Sequence, residues 1–184
     1  MTILEDTKED RLRELRENDM IQIYNFSNGD VYIGNLKEGR LTGTGSYIFS
    51  PMEGEEINTE YIGNFVNGVR DGKGEFQFSN GNLYIGNFKD NKSNGIGRMR
   101  YANGDEYLGN WVEGKKEGVG VYTWANGYIY VGDFRDSKMD GCGACFNEKG
   151  ELVYDGDWKL GQIHGQGKYI WSKQKYYIGE FQPN

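Results

Sequence analysis

Seven tyrosines, Tyr32, Tyr61, Tyr84, Tyr107, Tyr130, Tyr154 and Tyr177, each open one short phrase, Tyr-x-Gly-x-aromatic, with Leu36 in place of the ring in the first copy. Subtracting successive residue numbers gives spacings of 29, 23, 23, 23, 24 and 23. A period of this length marks arrays of stacked units, each too small to bury its own apolar face. Whatever the chain does must therefore be read from an array rather than from one globular core.

Each phrase continues in register. Eleven residues after the tyrosine stand Gly43, Gly72, Gly95, Gly118, Gly141 and Gly165, and thirteen after it stand Gly45, Gly74, Gly97, Gly120, Gly143 and Gly167. The seventh residue is softer: Gly39, Gly68, Gly114 and Gly161 fit, whereas Asn91 and Ser137 replace glycine. Asn28-Gly29, Asn80-Gly81, Asn103-Gly104 and Asn126-Gly127 fall between units and predict two-residue hairpin turns with positive φ at both central positions. The unit is thus expected to be a β-hairpin, and the chain an all-β, elongated, single-layer antiparallel sheet of stacked hairpins, twisted and curved into a trough. Residues 1–20 are set apart as an N-terminal helix or cap, and residues 21–184 as the array.

These phrases resemble MORN repeats (membrane occupation and recognition nexus), with six full copies and a truncated seventh over about residues 24–181. The resemblance implies a stacked-hairpin fold. Family members include small scaffold proteins of cilia and parasite cytoskeletons, junctophilins that bridge two membranes, and regulatory segments of lipid kinases and of a lysine methyltransferase.

Glycine supplies 29 of 184 residues, and the registered columns account for the excess, so it is turn chemistry rather than low complexity. There is no apolar run of 18 residues, and the first 20 residues are charged where a signal peptide is apolar, which predicts a cytoplasmic chain associated with cytoskeleton, cilium or membrane through what it binds. Residues 1–20 hold seven acids and four bases of the total 28 and 21, leaving 21 and 17 in the array. Nucleic acid and anionic lipid both require concentrated Lys and Arg, so neither is favoured. With one histidine, His164, and no nucleophile elbow, P-loop or HExxH pattern, the chain reads as non-enzymatic, without cofactor or metal. Cys142 and Cys145 read as strand filler, since no second ligand pair for zinc accompanies them.

Strand alternation puts tyrosine, both strand glycines and the second-strand rings on one face, and residues such as Ile33, Ile62, Val131 and Ile178 on the other. A ring laid across a neighbouring strand needs a glycine beneath it, and rings then stack from unit to unit. Two uses of the aromatic face follow and can coexist: packing within the layer, or a groove for a helix or extended peptide of a partner protein. The candidate groove residues are Tyr84, Phe88, Met99, Tyr101, Tyr107, Trp111, Tyr122 and Trp124. An alternative, direct binding of anionic phospholipid, falls on Arg98, Arg100, Lys115, Lys116, Lys168, Lys173 and Lys175. A second alternative, a targeting segment of a larger enzyme, rests on the sequence stopping after the first strand of the seventh unit. The same strand suggests a homodimer through Tyr177, Ile178 and Phe181.

Three irregularities interrupt the pattern. Residues 50–60 add six residues rich in Glu53, Glu55, Glu56 and Glu60, a solvated or partner-contacting loop. Residues 3–19 favour a helix with Thr7 as N-cap and an apolar stripe of Ile3, Leu4, Leu12 and Leu15, expected to cap the open edge of the first hairpin or, alternatively, to hook a partner. The spacing of 24 predicts a β-bulge near Asn147 to Glu151.

Overall fold

The computed structural model of the chain describes residues 8–17, 21–51, 54 and 58–182, without the side chains of residues 14, 16 and 17. The chain divides into two compact units, Met1–Ala102 and Asn103–Asn184. The first holds a helix, α1 (Lys8–Glu17), and strands β1 (Gln22–Asn25), β2 (Val31–Lys37), β3 (Arg40–Ile48), β4 (Glu60–Val66), β5 (Val69–Gln77), β6 (Leu83–Lys89) and β7 (Lys92–Arg100). The second holds β8 (Glu106–Val112), β9 (Lys115–Thr123), β10 (Ile129–Arg135), β11 (Lys138–Phe146), β12 (Leu152–Lys159), β13 (Gln162–Ser172) and β14 (Lys175–Phe181). Within each unit every strand pairs antiparallel with the one before it, the order expected of consecutive hairpins.

The glycine columns have two distinct causes. In the second repeat Gly63 pairs with Gly74, and the Tyr61 ring lies across both: a Cβ on Gly74 would sit 2.3 Å from the ring and one on Gly63 2.5 Å from the Gly74 Cα. No side chain fits under that ring. The eleventh-residue column is different, since Gly72 has φ +101° and closes a bulge where the ladder skips from Gly63–Gly74 to Phe65–Arg70.

The tyrosine column is the core. Tyr32, Tyr61, Tyr84, Tyr107 and Tyr130 are wholly buried and Tyr154 nearly so. Each hydroxyl satisfies itself on the backbone three residues on, as Tyr61 does on the Asn64 carbonyl at 2.9 Å and Tyr130 on Asp133 at 2.9 Å. Burying one such ring contributes about 2 kcal/mol. Burial pushes the Tyr32 hydroxyl up to about 12, and raises Tyr61, Tyr130 and Tyr154 in the same direction.

Between successive first strands the rings meet edge to face, while Tyr24–Tyr32 and Phe26–Tyr47 at the start of the array are stacked. Phe65 stands edge-on between Tyr32 and Tyr61 with centroids 5.4 and 5.1 Å away, at 84° and 86°. Phe134 stands likewise between Tyr107 and Tyr130, and Trp158 between Tyr130 and Tyr154. The ring quadrupole favours this arrangement over parallel stacking.

The turns reverse the expectation drawn from Asn-Gly. In those loops only glycine has positive φ, as at Gly81 (84°). The loop has three residues, closed by the Phe78 amide on the Asn82 carbonyl at 2.9 Å and the Gly81 amide on the Phe78 carbonyl at 3.0 Å. The two-residue turns with positive φ at both positions lie at the opposite end of each hairpin: Asn67-Gly68 (51°, 90°), Asp90-Asn91 (47°, 68°), Asp136-Ser137 (47°, 66°) and their equivalents. The soft seventh column is therefore a type I′ turn position, which Asn tolerates well.

Four of these turns, two in each unit, are tied to the repeat before them. The Gly68, Asn91, Ser137 and Gly161 amides donate to the carbonyls of Leu41, Arg70, Lys116 and Met139 at 2.8–3.0 Å. Where a side chain replaces glycine it returns the bond, the Arg70 amide donating to Asn91 Oδ1 and the Lys116 amide to Ser137 Oγ. Glu117 and Asp140 add a further bond by accepting from the Asp136 and Leu160 amides.

Of the residues expected to be helical, 8–17 are described, and α1 packs against β3 and β4 rather than covering the edge strand β1. Leu15 and Arg11 are buried there, and Arg11 donates to the Ile62 carbonyl at 3.0 Å. Lys8 reaches Glu60 at 2.7 Å, and Ser46 donates to the same carboxylate at 3.0 Å. A sheet edge offers one row of backbone groups, whereas this face offers Ile62 to bury and Glu60 to pair. Ile3, Leu4, Thr7, Glu53, Glu55 and Glu56 lie outside the described residues. The bulge predicted from the 24-residue spacing lies at Val153, between the pairs Cys145–Tyr154 and Phe146–Leu152.

Candidate partner-binding face

Tyrosine, strand glycine and second-strand ring share one face because the pairs Tyr61–Phe76, Tyr84–Met99, Tyr107–Tyr122 and Tyr130–Cys145 are directly opposed in the ladder. On this face Tyr32, Tyr61, Tyr84, Tyr107, Tyr130 and Tyr154 are sealed, and second-strand Phe76 and Met99 are buried as well, whereas Tyr47, Phe49, Tyr122 and Trp124 on the second strands are half-buried. Of the eight groove candidates, Tyr84, Phe88, Met99, Tyr107 and Trp111 are buried. They are packed within the layer and offer no surface to a partner. Tyr101, Tyr122 and Trp124 remain half-buried, and these three stay as accessible candidates. Parity could place all eight on one face, but only the edge-to-face packing decides which are covered.

Accessible rings that were not singled out join them. In the first unit Tyr47 and Phe49 have centroids 4.7 Å apart, and with Leu41, Tyr61, Phe65, Gly68, Arg70 and Asn91 they line a pocket of about 210 Å³. In the second unit Tyr122 and Trp124 line a pocket of about 340 Å³ with Lys116, Phe134, Ser137, Lys138, Met139, Trp158 and Gly161. The two pockets occupy matching places in the repeat, but their cations do not: Lys116 stands where the first pocket has Leu41, and Arg70 where the second has Met139, although each follows its own tyrosine by nine residues.

The cations rest on rings. The Arg70 guanidinium lies 4.7 Å from the Phe76 centroid and 5.7 and 5.9 Å from those of Tyr61 and Phe88. The Lys116 ammonium lies 4.9, 5.4 and 5.7 Å from Tyr122, Tyr107 and Phe134. Desolvation lowers the pKa of both. Asp105 counters the effect at Lys116 and itself accepts from the Tyr122 hydroxyl at 2.7 Å and the Ala125 amide at 2.8 Å. Burial alone would raise Asp105, but these bonds outweigh it and lower its pKa. Asp30 takes the same part towards Tyr47 and Ser50, at 2.6 and 2.7 Å, and the Ser50 amide is the main cause of its lowered pKa.

Within the second unit the basic residues weighed for lipid do not share one face, and in the first unit two of them lie away from the rings. Arg98 pairs across from Ile85 and Arg100 from Leu83, on the side away from the rings. Lys115 forms an exposed ion pair with Asp136, while Lys116 turns to the aromatic face. Lys168 sits opposite Asp155 with its ammonium 4.8 Å from the Tyr176 ring, and Lys175 lies 5.6 Å from Trp171. On β14, Tyr177 and Ile178 are 43% and 65% exposed and Phe181 is half-buried. Cys142 and Cys145, three apart in a regular strand, point to opposite faces and hold no common ligand. Among the described residues no helix is long and apolar enough to cross a membrane.

Hairpins joined only to their sequence neighbours, with one tyrosine sealed over a glycine pair in each, define a β-hairpin repeat protein. The MORN repeat pattern matches residues 32–51, 61–83, 84–106, 107–127, 130–147 and 154–175, and the chain belongs to the MORN repeat family. No curated protein matches it in sequence. Among solved structures it is similar to the TCP domain of SAS-4 (dCPAP) of Drosophila melanogaster in complex with a proline-rich motif of Ana2 (dSTIL), at 17% identity and a TM-score of 0.46, over 72% of this chain and 69% of that one.

Proposed function

We propose that the protein is a non-enzymatic scaffold whose aromatic face binds a helix or extended segment of a partner protein in a cytoskeletal, ciliary or membrane-associated assembly. One observation carries this reading: beside the buried tyrosines, some second-strand rings of each unit stay accessible, Tyr47 and Phe49 in the first and Tyr122 and Trp124 in the second. Stability is supplied by the buried column, which leaves Tyr47, Phe49, Tyr101, Tyr122 and Trp124 available for contact. A pull-down followed by direct binding with the purified partner, comparing the wild-type chain with Tyr101→Ala/Trp124→Ala, tests it. The double variant keeps its melting temperature and loses the partner. Unchanged binding would remove the aromatic face from the account.

A second reading, binding of anionic phospholipid, is supported by a charge asymmetry. Residues 158–179 contain Lys159, Lys168, Lys173 and Lys175 and no Asp or Glu, and Trp171 and Tyr176 there are 59% and 55% exposed. Basic residues near a membrane contribute about 1 kcal/mol each, so this segment alone gives weak, salt-sensitive attachment. Sedimentation with phosphoinositide vesicles at physiological salt, with Lys173→Glu/Lys175→Glu as control, separates the readings.

A further inference from the structure

We infer that the pocket beside Arg70 receives the carboxylate of an acidic residue, flanked by apolar residues, from a partner segment bound to the first unit. The inference rests on the scaffold reading above and names the chemistry of the partner. It comes from comparing the second repeat with the fourth. In the fourth, Lys116 on its three rings is accompanied by a carboxylate of its own chain, Asp105, held by the Tyr122 hydroxyl. The equivalent positions in the second repeat are Thr59 and Phe76, so both the acid and the hydroxyl that would orient it are gone.

Arg70 keeps the same seat over the rings and is likewise partly desolvated. Its Nη2 donates to the Asn91 carbonyl at 2.8 Å, its buried Nε has no hydrogen-bond partner, and no carboxylate of a described residue forms an ion pair with it. A guanidinium presents a fork of donors suited to a carboxylate. The pocket walls are Leu41, Tyr47, Phe49, Tyr61 and Phe65, which suit apolar neighbours of that acid. A cation half removed from water on an apolar floor attracts an anion more strongly than one in bulk solvent.

The test is an NMR titration of the ¹⁵N-labelled full chain with two blocked peptides, acetyl-Leu-Glu-Leu-amide and acetyl-Leu-Gln-Leu-amide. The Glu peptide should shift the Arg70, Asn91 and Phe49 amides and bind about tenfold more tightly than the Gln peptide, as expected for one charge-assisted contact. Arg70→Gln should erase the preference. Thr59→Asp, which restores the internal acid of the fourth repeat, should reduce it without touching Arg70. Equal affinities in the wild type, or a preference that survives both variants, would overturn the inference. A preference seen only after Glu53, Glu55 and Glu56 are all changed to Gln would assign the pocket to the chain's own loop and also overturn it. If the acidic preference fails while Trp124-dependent partner binding persists, the scaffold reading stands without it.

Discussion

The two units are built from the same hairpin and treat the face away from the rings in opposite ways. In the first, α1 lies over β3 and β4, and Ile62 is 1% exposed beneath it. In the second, the equivalent residue Val131 is 40% exposed, with Val119 at 67%. Yet Tyr32, Tyr61 and Tyr84 in the first and Tyr107, Tyr130 and Tyr154 in the second are sealed alike. The contrast teaches that the repeat is complete as a single layer: the aromatic face alone closes the core, and a covering helix is an addition with its own local energetics.

The largest expected effect tests what the units share. Tyr32 titrates near 12 in the folded chain against an ordinary 10, and Tyr61, Tyr130 and Tyr154 are raised as well. A tyrosine whose folded pKa is raised contributes stability that is whole below pH 10 and lost as the pH climbs through 12. Circular dichroism across that window should show both units unfolding together. Survival of either at pH 12 would mean its tyrosines are not sealed.

Next, Gly74→Val and Gly143→Val should each cost more than about 4 kcal/mol, because the new side chain and the tyrosine ring claim one space. Chemical denaturation reads both, and a mild effect in one would break the equivalence. The third test separates the units: Ile62→Thr should cost about 2 kcal/mol and Val131→Thr less than about 0.5 kcal/mol. Equal costs would show that the second unit's outer face is also covered in solution. The smallest effect concerns the turns. Asn91→Gly removes the bond returned to the Arg70 amide and should cost about 1 kcal/mol, whereas Gly68→Asn should be close to neutral or favourable, since it can recreate that bond at Leu41.

Strand order, face parity and the seat of each tyrosine over its glycine pair were legible in the sequence because they depend on local spacing. Repeated residues report contacts within one unit and with its neighbour. The turns were misassigned because Asn-Gly and positive φ are correlated without being equivalent: Asn80 uses its side chain to accept from the Asn82 amide at 3.0 Å and leaves positive φ to Gly81. The helix was placed at an edge because nothing periodic announces a carbonyl such as that of Ile62 as the acceptor for Arg11. Burial of five groove candidates was hidden for a similar reason, since parity gives the face of Trp111 but not the edge-on ring beside it.

The clasp between these four turns and the repeats before them has a consequence for synthesis. The Gly68, Asn91, Ser137 and Gly161 amides all reach backward along the chain, and so do the edge-on rings Phe65, Phe134 and Trp158. A hairpin emerging from the ribosome therefore meets a docking surface that already exists and never waits for one still to be made. Within each unit the sheet can grow like masonry, course upon course, in the order in which the message is read.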